Sequence, residues 1–330
     1  MWWFSESLNG GIERNFRIVV AQARTFRLYD MKFFLETENK YYCLSNRTRF
    51  TNNQFSLTTC FLDSLNLLSS ESIAVSRGPY LTYYWGGQIS FDMKKNTAWF
   101  SWLIAGKHSN NSNLLELLEF LVAKAGKAGM QSCAVVLDEG QWVTGSFRQI
   151  GFSVYSKQTV WCYKGELNSD GENWQSVSVT PFDEYDLFYE SQITPLIRQL
   201  GSNWNQENIY ALKKDGMIQA TAKATAQNGN RIYLEPIFNP GVENPAKLML
   251  SLAQQINHTT DQEVYVMIPG FQAWANDPFN EENFNLVCRQ TVFVKNLAAK
   301  VAEEKPAIQL ENGYLQPVGP ANYQMNKKEK

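Results

Sequence analysis

Histidine is nearly missing: His108 and His258 are the two imidazoles in 330 residues, so a His-based metal site is not expected. Cysteine is sparse and odd in number. Cys43, Cys60, Cys133, Cys162 and Cys288 are scattered without a C-x-x-C, which fits reduced thiols in a cytoplasmic protein better than a disulfide framework. Neither sign of charge dominates, the net charge being −2. Nucleic-acid and anionic-membrane surfaces need clustered Lys and Arg. The one cluster, Lys327-Lys328-Glu329-Lys330, reads as a frayed end. No apolar run approaches the ~18 residues of a membrane span. Met1-Trp2-Trp3-Phe4 gives way to Ser5-Glu6 without the flank or length of a signal peptide. There is no G-x-S-x-G, no P-loop and no G-x-G-x-x-G, so a hydrolase nucleophile elbow and the common nucleotide cradles are not expected.

What the chain does contain is an internal echo. Trp142–Tyr163 reads as a short helix, a Gly-Phe turn and a strand. Its Lys157-Gln158-Thr159-Val160-Trp161 returns as Arg289-Gln290-Thr291-Val292-Phe293, an offset of 132 residues that also carries Trp142 onto Trp274, Phe147 onto Phe279 and Phe152 onto Phe284. Ahead of each copy the same order runs: strands, a helix, then an apolar strand. In the first half these are Ser72–Ser76, Tyr80–Asp92 with a bend at Gly86-Gly87, the fully apolar Thr97–Ala105, a leucine-rich helix capped by Asn113 with Glu116 closing the box, and Cys133–Leu137. In the second they are Asn208–Leu212, a turn at Lys213–Gly216, Met217–Ala224, Arg231–Phe238, a helix from Pro245, and Val264–Ile268. The reading is an α/β chain of the α+β kind, two tandem mixed sheets flanked by helices. Domains are expected at 1–165 and 174–300, followed by a polar tail at 301–330, with an extra segment near 39–75 in the first half.

The element order and the closing Phe147-Arg148-Gln149-Ile150-Gly151-Phe152 resemble the GNAT superfamily of N-acetyltransferases, across both halves. The resemblance implies transfer of an acyl group from acetyl-CoA or another acyl-CoA to a small-molecule or peptide amine, with no metal. It places the pyrophosphate at the loop after the central strand, here Gly106, Lys107, His108, Ser109, Asn110 and Asn111. The matching loop of the second half, Pro240–Ala246, has a proline without an N–H and the negative Glu243. The sequence departs from the family where chemistry is concerned. The Gly-rich loop is degenerate in both halves, and Phe147 and Phe279 stand where the family often has a tyrosine acid. Glu235 is the candidate base, set against an ordinary solvent-facing strand glutamate.

Three functions follow as alternatives. The first is an acyl-CoA-dependent N-acyltransferase. The second is a non-catalytic ligand-binding or interaction module on a duplicated fold. The third is a Fem-type aminoacyl transferase, disfavoured because a tRNA-bound substrate asks for a basic groove. A splayed pair of parallel strands beside the helix start favours the first; a closed sheet there, filled by Trp99 or Trp102, favours the second.

Overall fold

A computed structural model describes residues 22–30, 32–33, 41–51, 71–77, 82–167, 172–177, 184–193, 200, 208–226, 230–256 and 262–297, and two short strands at 309–311 and 314–316. The mixed α/β class holds, and the strands of the two halves join in one thirteen-stranded sheet instead of forming two. The described residues up to Leu297 form one compact unit. The second unit contributes the hairpin of β14 (Gln309–Glu311) and β15 (Tyr314–Gln316), regular pairing in a stretch read as polar tail. The expected helix around Phe61–Leu68 lies outside the described residues.

In the first half, β1 (Gln22–Thr25), β3 (Glu71–Arg77), β4 (Tyr83–Asp92) and β5 (Thr97–Ala105) form an antiparallel run. The strand β4 passes through Gly86-Gly87 without a break, and the register shift falls at Gln88/Ile89. A crossover helix, α2 (Asn111–Lys127), leads to β6 (Ser132–Asp138), parallel to β5. The α2 leucines 114, 117, 118 and 121 are fully buried against this sheet. In the second half, β8 (Gln175–Val177), β9 (Asn208–Lys214), β10 (Met217–Ala226) and β11 (Arg231–Phe238) repeat the antiparallel run. The hairpin between β9 and β10 closes at Asp215-Gly216, both with positive φ, as a tight twisted hairpin requires. Then α5 (Pro245–Ile256) crosses to β12 (Gln262–Pro269), parallel to β11, burying Met249 and Leu252 beneath it.

The halves are joined by exchange of their last strands. β7 (Ser153–Gly165) closes the first half yet pairs with β12 of the second; β13 (Asn285–Asn296) closes the second yet pairs with β6 of the first. These two strands then pair with each other, and the echo explains the register. Lys157 faces Thr291, Gln158 faces Gln290, and Thr159 faces Arg289. The repeated residues are therefore partners in one antiparallel ladder centred on the two glutamines. Even the irregularities match: Tyr155 is extra on β7 and Val287 is extra on β13, positions separated by the same offset.

The short helices before these strands also match. α3 (Thr144–Gln149) ends at Gly151, φ 93°, and Phe152 N–H returns to Phe147 C=O at 3.0 Å. α6 (Asn276–Glu281) ends at Asn283, φ 61°, and Phe284 N–H returns to Phe279 C=O at 3.0 Å. Glycine and asparagine are the residues that take a left-handed helix end most readily.

At the centre, Gln158 Nε2 donates to Gln290 Oε1 at 2.8 Å. Gln290 also exchanges two amide bonds with Asn46 and donates to Asp138 at 3.0 Å. Its side chain is almost fully buried. Replacement by Leu would orphan several of these groups, at about 1–3 kcal/mol for a stranded buried partner. The Gln290→Leu variant is expected to lose stability in that range by denaturant unfolding. A loss below about 0.5 kcal/mol, the size of an ordinary surface change, would show that the network contributes nothing.

Candidate functional site

The parallel pair β5/β6 is short. It runs from Thr97/Ser132 to Trp99/Ala134, after which the strands part, β5 continuing to Ala105 and β6 to Asp138. The gap is not left open. Strand β2 (Tyr41–Cys43) enters it antiparallel to β5, with Tyr41 facing Ile104, Tyr42 facing Leu103 and Cys43 facing Trp102. Leu44 N–H then donates to Ser101 C=O at 2.9 Å. Helix α1 (Asn46–Phe50) follows and fastens the segment to the sheet. Asn46 holds Gln290, Arg49 Nη1 donates to both oxygens of Asp138 at 2.8 and 2.7 Å, and Phe50 stacks on Tyr265 and Tyr233. The segment near 39–75 that sets the first half apart thus supplies what closes its cleft.

The second cleft is closed by different means. β11 and β12 pair from Arg231/Glu263 to Leu234/Val266 and then part. Pro236 has no N–H to offer an incoming group. The buried Gln272 amide accepts from Phe238 N–H at 3.3 Å and donates to Phe238 C=O at 2.8 Å, behaving as one residue of a missing strand.

The six residues of the first loop serve the turn and the helix. Gly106 N–H donates to Tyr84 C=O at 2.8 Å, and Ser109 N–H donates to Gly106 C=O at 3.2 Å. A Cβ on Gly106 would lie 2.4 Å from Tyr83 O, so the glycine is required by strand β4 passing over it. Lys107 and His108 are exposed. Asn110, not Asn113, is the helix cap: its Oδ1 accepts from Asn113 N–H at 2.9 Å, and its C=O accepts the Trp85 indole N–H. Asn111 Oδ1 accepts from Ser146 at 2.6 Å. Glu116, expected to close a capping box, instead accepts Ala23 N–H of β1 at 2.8 Å. In the second half Asn244 caps α5 through Lys247 N–H at 3.0 Å, and its Nδ2 donates to Glu282.

An acyl-CoA needs an open strand edge for its amide-bearing arm and free N–H donors for its pyrophosphate. Here the chain's own groups hold both strand edges, each capping asparagine takes one first-turn donor, and Pro245 removes another. The residues present do not fit that group. At the position where the family often has a tyrosine, both closing helices carry a phenyl ring, which has no proton to give. Phe147 sits in a cluster with Phe100 and Phe152, and Phe279 in one with Trp161 and Phe284, all as core.

The four described cysteines are free thiols. Burial pushes Cys133 up to about 12, and burial followed by the Asp138 charge does the same to Cys288. Neither is a ready nucleophile at neutral pH. Among the described residues no group of His, Cys, Asp or Glu is placed to hold a metal ion, and no helix is long and apolar enough to cross a membrane.

The open space lies on the sheet face opposite α2 and α5. Along β11, Leu234 and Phe238 enter the core under α5, while Tyr233, Glu235 and Ile237 alternate to the other side. A cavity of about 380 Å³ there takes its walls from both halves: Trp99 and Ser101 of β5, Tyr155 and Gln158 of β7, Lys223 of β10, Glu235 of β11, and Tyr189 of α4 (Glu184–Gln192). Glu235 is brought into this cavity and not near the Gly106–Asn111 loop's own bonds. Among the described residues its carboxylate makes no hydrogen bond or ion pair. The Tyr155 hydroxyl is buried with no hydrogen-bond partner among the described residues. Burial first, then the Glu235 charge, holds the Tyr233 phenol well above its ordinary range, with Asn46 bonded to it. The sequence offered no signal for Tyr155, because the strand exchange that brings it here is a pairing choice between distant segments, nor for Lys223, which meets Glu235 through the β10/β11 register.

Neither a protein-family model nor a curated protein matches the chain. Among solved structures it is similar to GCN5-related N-acetyltransferases. The one from Sphaerobacter thermophilus has 10% identity, covering 84% of this chain and 95% of that one, TM-score 0.48. The one from Anabaena variabilis has 11% identity, 84% and 73% coverage, TM-score 0.43. The one from Kribbella flavida has 10% identity, 66% and 88% coverage, TM-score 0.42.

The reading of Gly106 as a structural glycine is testable. Gly106→Ala is expected to cost about 1–3 kcal/mol, the range for forcing atoms into a filled site, whereas Lys107→Ala stays within about 0.5 kcal/mol. Equal unfolding midpoints for both variants would contradict it.

Proposed function

We propose that this chain, acyltransferase-like in its order of elements, works as a ligand-binding module, and that its ligand occupies the cavity walled by Trp99, Tyr155 and Glu235. Strand β2, bonded along the free edge of β5, is the observation that carries this reading. A cofactor arm on that edge would have to displace Tyr41–Leu44 and, with them, the anchors at Asn46, Arg49 and Phe50. The cavity supports the reading from the other side. Its volume is within the range of small-ligand sites, and its walls include the half-exposed carboxylate of Glu235 and the buried hydroxyl of Tyr155, which has no hydrogen-bond partner among the described residues. Buried polar groups without partners are uncommon and call for an explanation. On this reading residues 1–165 and 174–300 are two copies of one unit, and the site arises where their exchanged strands meet.

One observation favours acyl transfer as a second reading. Glu235, a residue type able to accept a proton from an ammonium group, lines the cavity within reach of a bound amine. Glu235 would then be the base and a small-molecule or peptide amine the acceptor, with acyl-CoA entering only after β2 leaves.

Two titrations of the full chain separate the readings. Acetyl-CoA at roughly millimolar concentration, which would reveal even a weak complex, is expected to give neither heat nor a shift in Tm. Indole, a neutral aromatic probe, is expected to give saturation transfer in NMR that is lost in Ser101→Trp. Binding of acetyl-CoA that weakens in Lys107→Glu would overturn the proposal and restore the Gly106–Asn111 loop as a cofactor site.

A further inference from the structure

The sheet face that carries the cavity continues past it. A second cavity, of about 570 Å³, lies farther along the same strands. On β5, Trp99 lines the first and Thr97 the second. On β6, Val136 and Ser132 divide in the same way, and on β13 Val292 and Val294. The members of each pair are separated by an even number of residues, so one face of the sheet floors both cavities. Tyr155 and Leu200 line both and stand where the two meet. From Ser132 to Val136 the floor runs about 13 Å, at ~3.3 Å per residue.

The two ends differ in charge. Asp92 and Glu235 line the first cavity, whereas no described carboxylate lines the second. The second has Lys94 and Lys95, exposed in the turn between β4 and β5. Their backbone N–H groups donate to Asp92 at 3.1 and 3.2 Å, but neither ammonium makes a hydrogen bond or ion pair among the described residues. Between the ends the floor is apolar, with Trp99, Val136, Val292 and Val294. At the junction the Tyr155 hydroxyl is buried and has no partner. Burial raises this phenol above its ordinary range, so at neutral pH it keeps its proton and can donate it to a hydrogen bond. Building on the cavity reading above, we infer that the ligand is an elongated amphiphile with an anionic head, a carboxylate or a phosphate, on an aliphatic or aromatic tail. The tail lies along Trp99 and Val292 in the first cavity. The head lies past the junction, where the Tyr155 hydroxyl donates to one of its oxygens and Lys94 and Lys95 face it. The reverse orientation would set the anion beside Asp92 and Glu235.

The test titrates the full chain with four probes that share one tail: octanoate, octyl phosphate, 1-octanol and octylammonium. Calorimetry is expected to show the better anion binding at least about tenfold tighter than 1-octanol, the equivalent of one charge-assisted hydrogen bond, and octylammonium weakest. The tighter of octanoate and octyl phosphate identifies the head. The double variant Lys94→Ala/Lys95→Ala, altered at two exposed side chains, is expected to weaken that anion by about five- to tenfold and to leave 1-octanol unchanged. Tyr155→Phe is expected to weaken the anion by about tenfold while keeping or raising Tm, since it removes a stranded hydroxyl; a merely structural tyrosine would lower Tm and leave the preference for the anion intact. Equal affinity for 1-octanol and the anions, tighter binding of octylammonium, or an anion affinity unchanged in either variant overturns the anionic head. If indole still enters and Ser101→Trp still excludes it, the cavity reading survives that failure. If indole and all four probes fail to bind, both fall together.

Discussion

The structure depends on one pairing, the antiparallel ladder of β7 with β13 centred on Gln158 and Gln290. Each strand leaves its own half and completes the sheet of the other, so neither half has a finished sheet alone. A buried amide at this position demands full satisfaction, and Gln290 obtains it from Gln158, Asn46 and Asp138. A one-residue slip of the ladder would turn every side chain to the opposite face and break this network. The glutamines thus specify register as well as contributing bonds.

The same pairing explains why the cavity lies where it does. Exchange brings β5 and β11, the strands that border the two clefts, to either side of β7 and β13. The face opposite α2 and α5 then collects groups from both halves, and the bulge at Tyr155 breaks the regular pleat beside it. Closing the clefts with β2 and Gln272 removes the strand edges that an extended ligand would use. What is left on that face is the polar and aromatic cavity lined by Glu235 and Tyr155.

Much of the fold was legible in the residues. The apolar run Thr97–Ala105 is strand β5 with those same bounds, and the 132-residue echo is realised as cross-strand partners. Periodicity fixed the faces of α2, because leucines at helical spacing have one place to go. What sequence could not yield was strand order. Whether β7 returns to β6 or crosses to β12 depends on long-range pairing, for which both strands are equally suited by composition. The candidate site divided along the same line. The Gly106–Asn111 loop is where the element order puts it, yet Asn110 and Gly106 serve the helix and the turn. Glu235 could be singled out as a carboxylate on a central strand, while its companions Lys223 and Tyr155 could not, since they reach it only through tertiary contact. Tyr41–Leu44 carries no pattern that distinguishes a cleft-filling strand from any edge strand.

The central claim is that the chain's own segment holds the β5 edge, and the amide of Leu44 reports on it directly. Its N–H donates to Ser101 C=O at 2.9 Å inside the first cleft. Hydrogen exchange of the full chain is predicted to show this amide protected to the level of neighbouring sheet amides, with and without acetyl-CoA. Rapid exchange of Leu44, or protection that disappears when acetyl-CoA is added, would show that the edge is available to a cofactor and would contradict the account.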